Sequence, residues 1–168
     1  FLETYAAILE GRLSSQNLIV EPKDSRDAGE LLKKFLALPS RGSSGILFAV
    51  CGGKWSEGLD YRGELLAGAM VVGLPLAPFN RVRQMTIDYY RHKFGPEGEF
   101  ISYTLPVLNR GEQAVGGMLR APEDRGMLVF GEKRFLEQRV RAGLPPWIRD
   151  EMVECSIDSF ATAVKKWK

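Results

Sequence analysis

Three stretches of this chain carry residue types that could do chemistry. The first is Gly52-Gly53-Lys54-Trp55-Ser56-Glu57-Gly58-Leu59-Asp60, which sets an ammonium, a hydroxyl and two carboxylates among three glycines. It directly follows an apolar run over 46–51, which reads as a strand buried on both faces. A strand ending in such a turn is where open α/β sheets bind ligands, at the carboxyl ends of their strands. The same residues also suit an ordinary strand-to-helix turn. The second stretch is Gln113-Ala-Val-Gly116-Gly117-Met-Leu-Arg120, followed by Asp124 and Gly126. On a helix, positions 113, 116, 117 and 120 share one face, left flat by the glycines so that Gln113 and Arg120 can reach past it. Two mid-helix glycines cost about 1 kcal/mol each against alanine, a cost usually met by close approach to something. Arginine suits a phosphate that develops charge, because its fork is planar and always charged. A surface glutamine and arginine beside a tight helix–sheet contact is the alternative. The third stretch interleaves Arg81, Arg83, Arg91, His92 and Lys93 with Tyr89, Tyr90 and Phe94. Such a set can hold single-stranded nucleic acid through phosphates and stacking, and it also suits an amphipathic helix with a solvated basic face.

Several chemistries find no support. There is no phosphate-binding loop of the Gly-x-x-x-x-Gly-Lys-Ser/Thr type, so any nucleotide phosphates and their metal must be held by another segment. No Ser-His-Asp or Cys-His set can be assembled, because the sole histidine, His92, sits in the basic run Arg91-His92-Lys93. That run suits a solvated helix C-terminus, where cations are favourable. Cys51 and Cys155 have no metal-ligand spacing and read as reduced thiols in an intracellular protein. A net charge of +2 does not by itself demand nucleic acid or an acidic membrane. No apolar run approaches the roughly 20 residues of a membrane span, and no signal peptide is expected. The chain begins at Phe1 without a methionine and in mid-pattern, which leads us to expect a fragment.

The elements that must position these residues follow from periodicity. At 168 residues, with 45% apolar and 26% charged content, the chain fits one soluble globular domain. Apolar residues at 1, 2, 5, 8, 9 and 13 predict a helix over 1–13. A short strand is expected over 17–21, stopped by Pro22. A helix follows, capped by Asp24 or Ser25 and running to about Leu38 with Leu31, Leu32, Phe35 and Leu36 inward. A second buried strand is expected over 68–74 and ended by Pro75. A helix over 80–94 is capped by Asn80 and stopped by Gly95-Pro96. A longer helix falls within 102–120, a last strand over 126–130, and a mostly helical segment from about 144. Strands alternating with helices predict an α/β fold with a parallel sheet covered on both faces.

Taken together, the segments resemble the second helicase domain of the XPD/DinG-type DNA helicases, over most of the chain. Gly52-Gly53-Lys54-Trp55-Ser56-Glu57-Gly58-Leu59-Asp60-Tyr61 resembles the family's motif V. Val72-Gly73-Leu74-Pro75 resembles its Gly-x-Pro segment. Gln113 to Gly116, then Arg120, Asp124 and Gly126, resemble motif VI. Leu128-Val-Phe-Gly-Glu-Lys-Arg134-Phe135 is similar to the strand ending in Asp-x-Arg-Phe/Tyr, and Leu144-Pro-Pro-Trp147-Ile148 to Leu-Pro-x-Trp-Ile. Ordered matches at family spacing are more specific than any single motif.

The resemblance implies a RecA-like domain over 1–168 with a C-terminal helical extension from about 144, lacking the first, motif IV, strand that should precede Phe1. An open gap or edge would result. It implies an ATP-driven motor moving 5′ to 3′ on single-stranded DNA, of the nucleotide excision repair class. ATP and Mg²⁺ would be shared with a first helicase domain, which also carries the phosphate loop, the metal-binding Asp-Glu and a 4Fe-4S cluster. Gly58 and Asp60 would lie on the nucleotide side of the cleft, Asp60 towards the ribose. Lys54 and Ser56, joined by Arg81 and Arg83, would face the DNA. Gln113 would contact the phosphate end, and Arg120 would be the arginine finger on the transferring γ-phosphoryl. Expected partners are single-stranded DNA, the first helicase domain and repair-complex proteins, with no membrane. The expected place is a prokaryotic or archaeal cytoplasm, or a eukaryotic nucleus. One departure stands out: motif VI reads Gln-x-x-Gly-Arg-x-x-Arg, and this chain has Gly117 at the first arginine. Impaired activity, a variant site or substitution by Arg125 would each accommodate it. A degenerate helicase domain that only binds protein or DNA is therefore the second reading. An unrelated nucleotide-binding α/β enzyme is disfavoured by the absent phosphate loop.

Overall fold

The computed structural model describes residues 17–23, 27–56, 61, 65–116 and 125–167. The expected helix over 1–13 and the caps at Asp24 and Ser25 lie outside the described residues. All four predicted strands are present: β1 (Asn17–Val20), β2 (Gly45–Phe48), β3 (Gly68–Val71) and β4 (Met127–Phe130). β1 pairs with β2 in parallel, Leu18 opposite Ile46 and Val20 opposite Phe48. β3 pairs with β4 in parallel, Ala69 opposite Leu128 and Val71 opposite Phe130. Each pair is bridged by helix, as parallel pairing requires. α1 (Ala28–Leu36) lies between β1 and β2. α2 (Arg81–Phe94) and α3 (Leu105–Gly116) lie between β3 and β4. Among the described residues the strands pair two by two rather than as one continuous ladder.

α1 forms because Ala28, Leu31, Leu32, Phe35 and Leu36 make one apolar stripe, with Ala28 and Phe35 buried. Glu30 in its first turn and Lys33 and Lys34 in its last complement the helix dipole. α2 begins as expected at Asn80, whose side chain accepts from the Arg83 N–H at 2.9 Å. It ends at Gly95. α3 is entered through a wider π-helical turn, Phe100–Thr104, in which the buried Ser102 hydroxyl donates to the Gly98 carbonyl at 2.7 Å. The segment from 144 is less continuous than expected. Pro145 starts only a single turn, α5 (Pro146–Arg149), after the short α4 (Gln138–Ala142). The last helix, α6 (Ile157–Trp167), follows a non-helical stretch.

Two apolar clusters hold these elements. One gathers Val71, Leu108, Val115, Phe135, Val140, Leu144 and Ile148, with Cys51, Phe130 and others packed against it. The other gathers Phe35, Leu38 and Tyr61, with Ile19, Leu47 and Leu66 against it. The expectation that β2 and β3 are buried on both faces is not met. β2 is half-buried throughout, and β3 alternates, burying Val71 while Met70 is 60% exposed. With two strands per described sheet every strand is an edge, and side chains of period two send alternate residues outward.

Candidate functional site

β1 and β2 deliver their carboxyl ends side by side, and the glycine turn 51–56 leaves from that end. The Glu21 N–H donates to the Phe48 carbonyl at 2.8 Å, so Glu21 continues the ladder directly beside the turn. Its carboxylate then reaches into the turn. One oxygen accepts from the Val50 N–H at 2.8 Å and the other from the Trp55 N–H at 3.4 Å. The turn is closed by a Gly53 N–H bond to the Val50 carbonyl at 2.7 Å. The Ser56 hydroxyl donates to the same carbonyl at 2.7 Å and lies 3.2 Å from the Gly53 carbonyl.

Both turn glycines are explained by this geometry. Gly52 has φ 86°, a conformation that side chains resist. A Cβ on Gly53 would lie 2.8 Å from each Glu21 carboxylate oxygen and from the Val50 carbonyl, closer than atoms can pack. Beneath the turn, Trp55 is only 3% exposed, and the Tyr61 hydroxyl donates to its carbonyl at 2.9 Å. Burial, then the nearby Glu21 charge, pushes the Tyr61 phenol up to about 12.

Of the residues expected to face DNA, Lys54 is exposed on the turn, whereas the Ser56 proton is engaged inside it. Arg81 is exposed at the start of α2. Arg83 is half-buried, its guanidinium 5.9 Å from the centre of the Tyr103 ring, and the Tyr103 hydroxyl donates to the Ala77 carbonyl at 3.2 Å. Further along α2, Arg91 is paired with Glu99 at 2.5 Å and Asp88 at 3.9 Å. The face expected to be basic also exposes apolar residues, Val82 (72%), Met85 (63%) and Tyr89 (60%).

Of the residues expected at the nucleotide, Gln113 is exposed near the end of α3. Gly58, Asp60, Gly117, Arg120 and Asp124 lie outside the described residues. A Cβ on Gly116 would meet nothing within 4 Å, so the close approach inferred for that glycine is not made by a described part of this chain. The turn and the α3 end both touch one apolar cluster. Cys51, at the start of the turn, and Val115, two residues after Gln113, pack in the same apolar cluster. Beyond β4, Glu132 bonds both the backbone N–H and the guanidinium of Arg134, at 3.2 and 2.9 Å. That pairing holds the Glu132 carboxyl below its usual range, and Phe135 packs 4.4 Å from Phe130 beneath it.

Among the described residues no three His, Cys, Asp or Glu side chains converge to hold a metal ion. Sequence reasoning missed Glu21, and it quoted Tyr61 without a role. Glu21 carried a usable signal: a carboxylate at the carboxyl end of a predicted strand, the position already used to single out the turn after β2.

Residues 1–151 match the helicase C-terminal domain family. The chain is 32% identical over 158 residues to the bovine (Bos taurus) regulator of telomere elongation helicase 1, covering 88% of this chain and 13% of that protein. It is 27% identical over 139 residues to the Schizosaccharomyces pombe general transcription and DNA repair factor IIH helicase subunit XPD, covering 82% and 18%. A solved XPD helicase superposes with a TM-score of 0.52 at 18% identity, over 84% of this chain and 30% of that one. The chain thus spans less than a fifth of the length of these curated relatives. The parallel strands with their helical crossovers are those of the RecA-like fold, and the chain belongs to the helicase C-terminal domain family of XPD/DinG type.

Proposed function

We propose that this chain is the second motor domain of an ATP-dependent 5′-to-3′ DNA helicase of the XPD type, of the nucleotide excision repair class. The observation that carries the reading is the family match over 1–151 together with a glycine turn set at the carboxyl ends of paired parallel strands, where such folds bind ligands. ATP, with Mg²⁺, supplies the phosphoryl group whose transfer to water drives movement, in a cleft shared with a first helicase domain. Gln113 fits an outward contact to the phosphates, since it is exposed at a helix end. Gly58, Asp60 and Arg120 complete this chain's half, with Arg120 stabilising charge on the γ-phosphoryl. Lys54, Ser56, Arg81 and Arg83 form its part of the single-strand track. The 4Fe-4S cluster that the resemblance implies would sit in the first domain. The partners are single-stranded DNA, that first domain and repair-complex proteins. The protein works inside the cell, in a cytoplasm or a nucleus. Among the described residues no helix is long and apolar enough to cross a membrane.

In the two-domain protein, Arg120→Ala lowers the ATPase rate by about a thousandfold or more, the weight of an arginine finger. This chain alone neither hydrolyses ATP nor unwinds DNA. A rate from the isolated chain that Arg120→Ala abolishes would refute the reading. Gly117 favours a second reading, a degenerate domain that docks without catalysis. Gly117→Arg separates the two: a large gain in DNA-stimulated ATPase supports a damaged motor, and no gain supports a scaffold.

A further inference from the structure

We infer that Glu21 is a positioning residue that sets the glycine turn and thereby couples DNA binding to ATP hydrolysis; the coupling half rests on the motor reading above. Glu21 is 29 residues from Val50 in sequence and 34 from Trp55, yet its carboxylate accepts from both backbone N–H groups. Its own N–H is fixed in the β1–β2 ladder. The carboxylate is therefore held at its root by the sheet and at its tip by the turn. Gly53 leaves the space that those two oxygens occupy.

The turn so held carries Lys54 and Ser56, expected to face DNA, and in sequence it leads to Gly58 and Asp60, expected to face nucleotide. Without the carboxylate, the Val50 and Trp55 N–H groups lose their acceptor and the turn loses two bonds that tie it to the end of β1. Charge-assisted bonds to backbone N–H groups are the stronger class. Their loss is therefore felt at the turn before it is felt in the sheet, whose ladder is backbone to backbone.

The test uses the complete helicase that carries this chain. Trp55 is read by acrylamide quenching in a background where Trp147, which is 45% exposed, Trp167 and every tryptophan outside this chain are replaced by Phe. Glu21→Ala is expected to raise Trp55 quenching at least about twofold. It is also expected to lower the ratio of DNA-stimulated to basal ATPase about tenfold, the lower end of what two such bonds contribute, with the basal rate within about twofold of the parent. Glu21→Gln keeps one acceptor oxygen, so the quenching rise is expected to fall to about one-and-a-half-fold and the loss of stimulation to about threefold. Unchanged Trp55 quenching in Glu21→Ala would overturn the positioning role. An opened turn with unchanged stimulation, or basal and stimulated rates falling together, would overturn the coupling. A parent protein with no DNA-stimulated ATPase would sink the motor reading and the coupling with it, while the quenching result would still judge the turn. If Glu21→Ala does not fold, Glu21→Gln decides, and its failure to shift either readout overturns the inference.

Discussion

Replacing Tyr61 by Phe removes one hydroxyl at a site where its loss has two separable consequences. Tyr61 is 6% exposed, and its hydroxyl is bonded at 2.9 Å to the carbonyl of Trp55, itself 3% exposed. Phe fills nearly the same volume, so cavity terms are small, and the Trp55 carbonyl is left buried without its donor. That costs about 1–3 kcal/mol. The second consequence depends on pH. The folded phenol ionises near 12 and the unfolded one near 10. Its contribution is therefore fully present below pH 10, where neither state ionises. Between about pH 10 and 12 the unfolded chain releases the proton first, and stability drains by up to about 2.7 kcal/mol, two units at 1.36 kcal/mol each. Urea unfolding at pH 8 checks the first effect as a lower midpoint at constant slope. A pH series from 9 to 12 checks the second. The difference between parent and Tyr61→Phe isolates the phenol from everything the two proteins share: the gap between them closes as pH rises. A variant as stable as the parent at pH 8, with a parallel pH curve, would refute both the buried bond and the raised phenol.

Two further outcomes follow from the core and from the strand end beyond β4. Phe135 is 2% exposed and packs 4.4 Å from Phe130, so Phe135→Ala is expected to cost about 3–5 kcal/mol in denaturant unfolding. A loss below about 1 kcal/mol would mean that the cluster around Val71 and Leu144 is not packed as described. Glu132, held below the usual carboxylate range by Arg134, contributes stability above its unfolded pKa and loses it as pH falls through the lower folded value. Acid unfolding of Glu132→Gln is thus expected to show a shallower decline below about pH 4.5 than the parent, and identical acid limbs would contradict the pairing.

The backbone was more legible than the side chains. Four strands, the Asn80 cap and the Gly95 stop rest on local signals, namely apolar runs, cap residues and glycine, and the structure keeps them within a few residues. β2 ends at Phe48 rather than Cys51 because Val50 and Cys51 are already drawn into the turn by Glu21 and the closing bond from Gly53. The Glu21 contact itself could not be read, since a side chain meeting a backbone 29 residues away leaves no periodic trace. Nor could the exposure of Met70 and Val82 be read, since apolar residues on a strand edge or a helix face look the same in sequence whether or not anything covers them. The motif spacing pointed to Ser56 as a residue for ligand, and the bond its hydroxyl makes to the Val50 carbonyl could not be read from that spacing.

The pair Gly52-Gly53 has a consequence for how sequences of this family are compared. Both glycines are demanded from within, one by a positive φ and one by the Glu21 carboxylate that fills its side-chain space. A column of invariant glycine at these positions would therefore record an intramolecular fit, and it would persist in a relative that had lost every ligand. Covariation is the more telling signature. Position 53 is free to grow only where position 21 has ceased to be an acid and the Val50 carbonyl has also moved aside, so relatives that change the two together have rebuilt this turn.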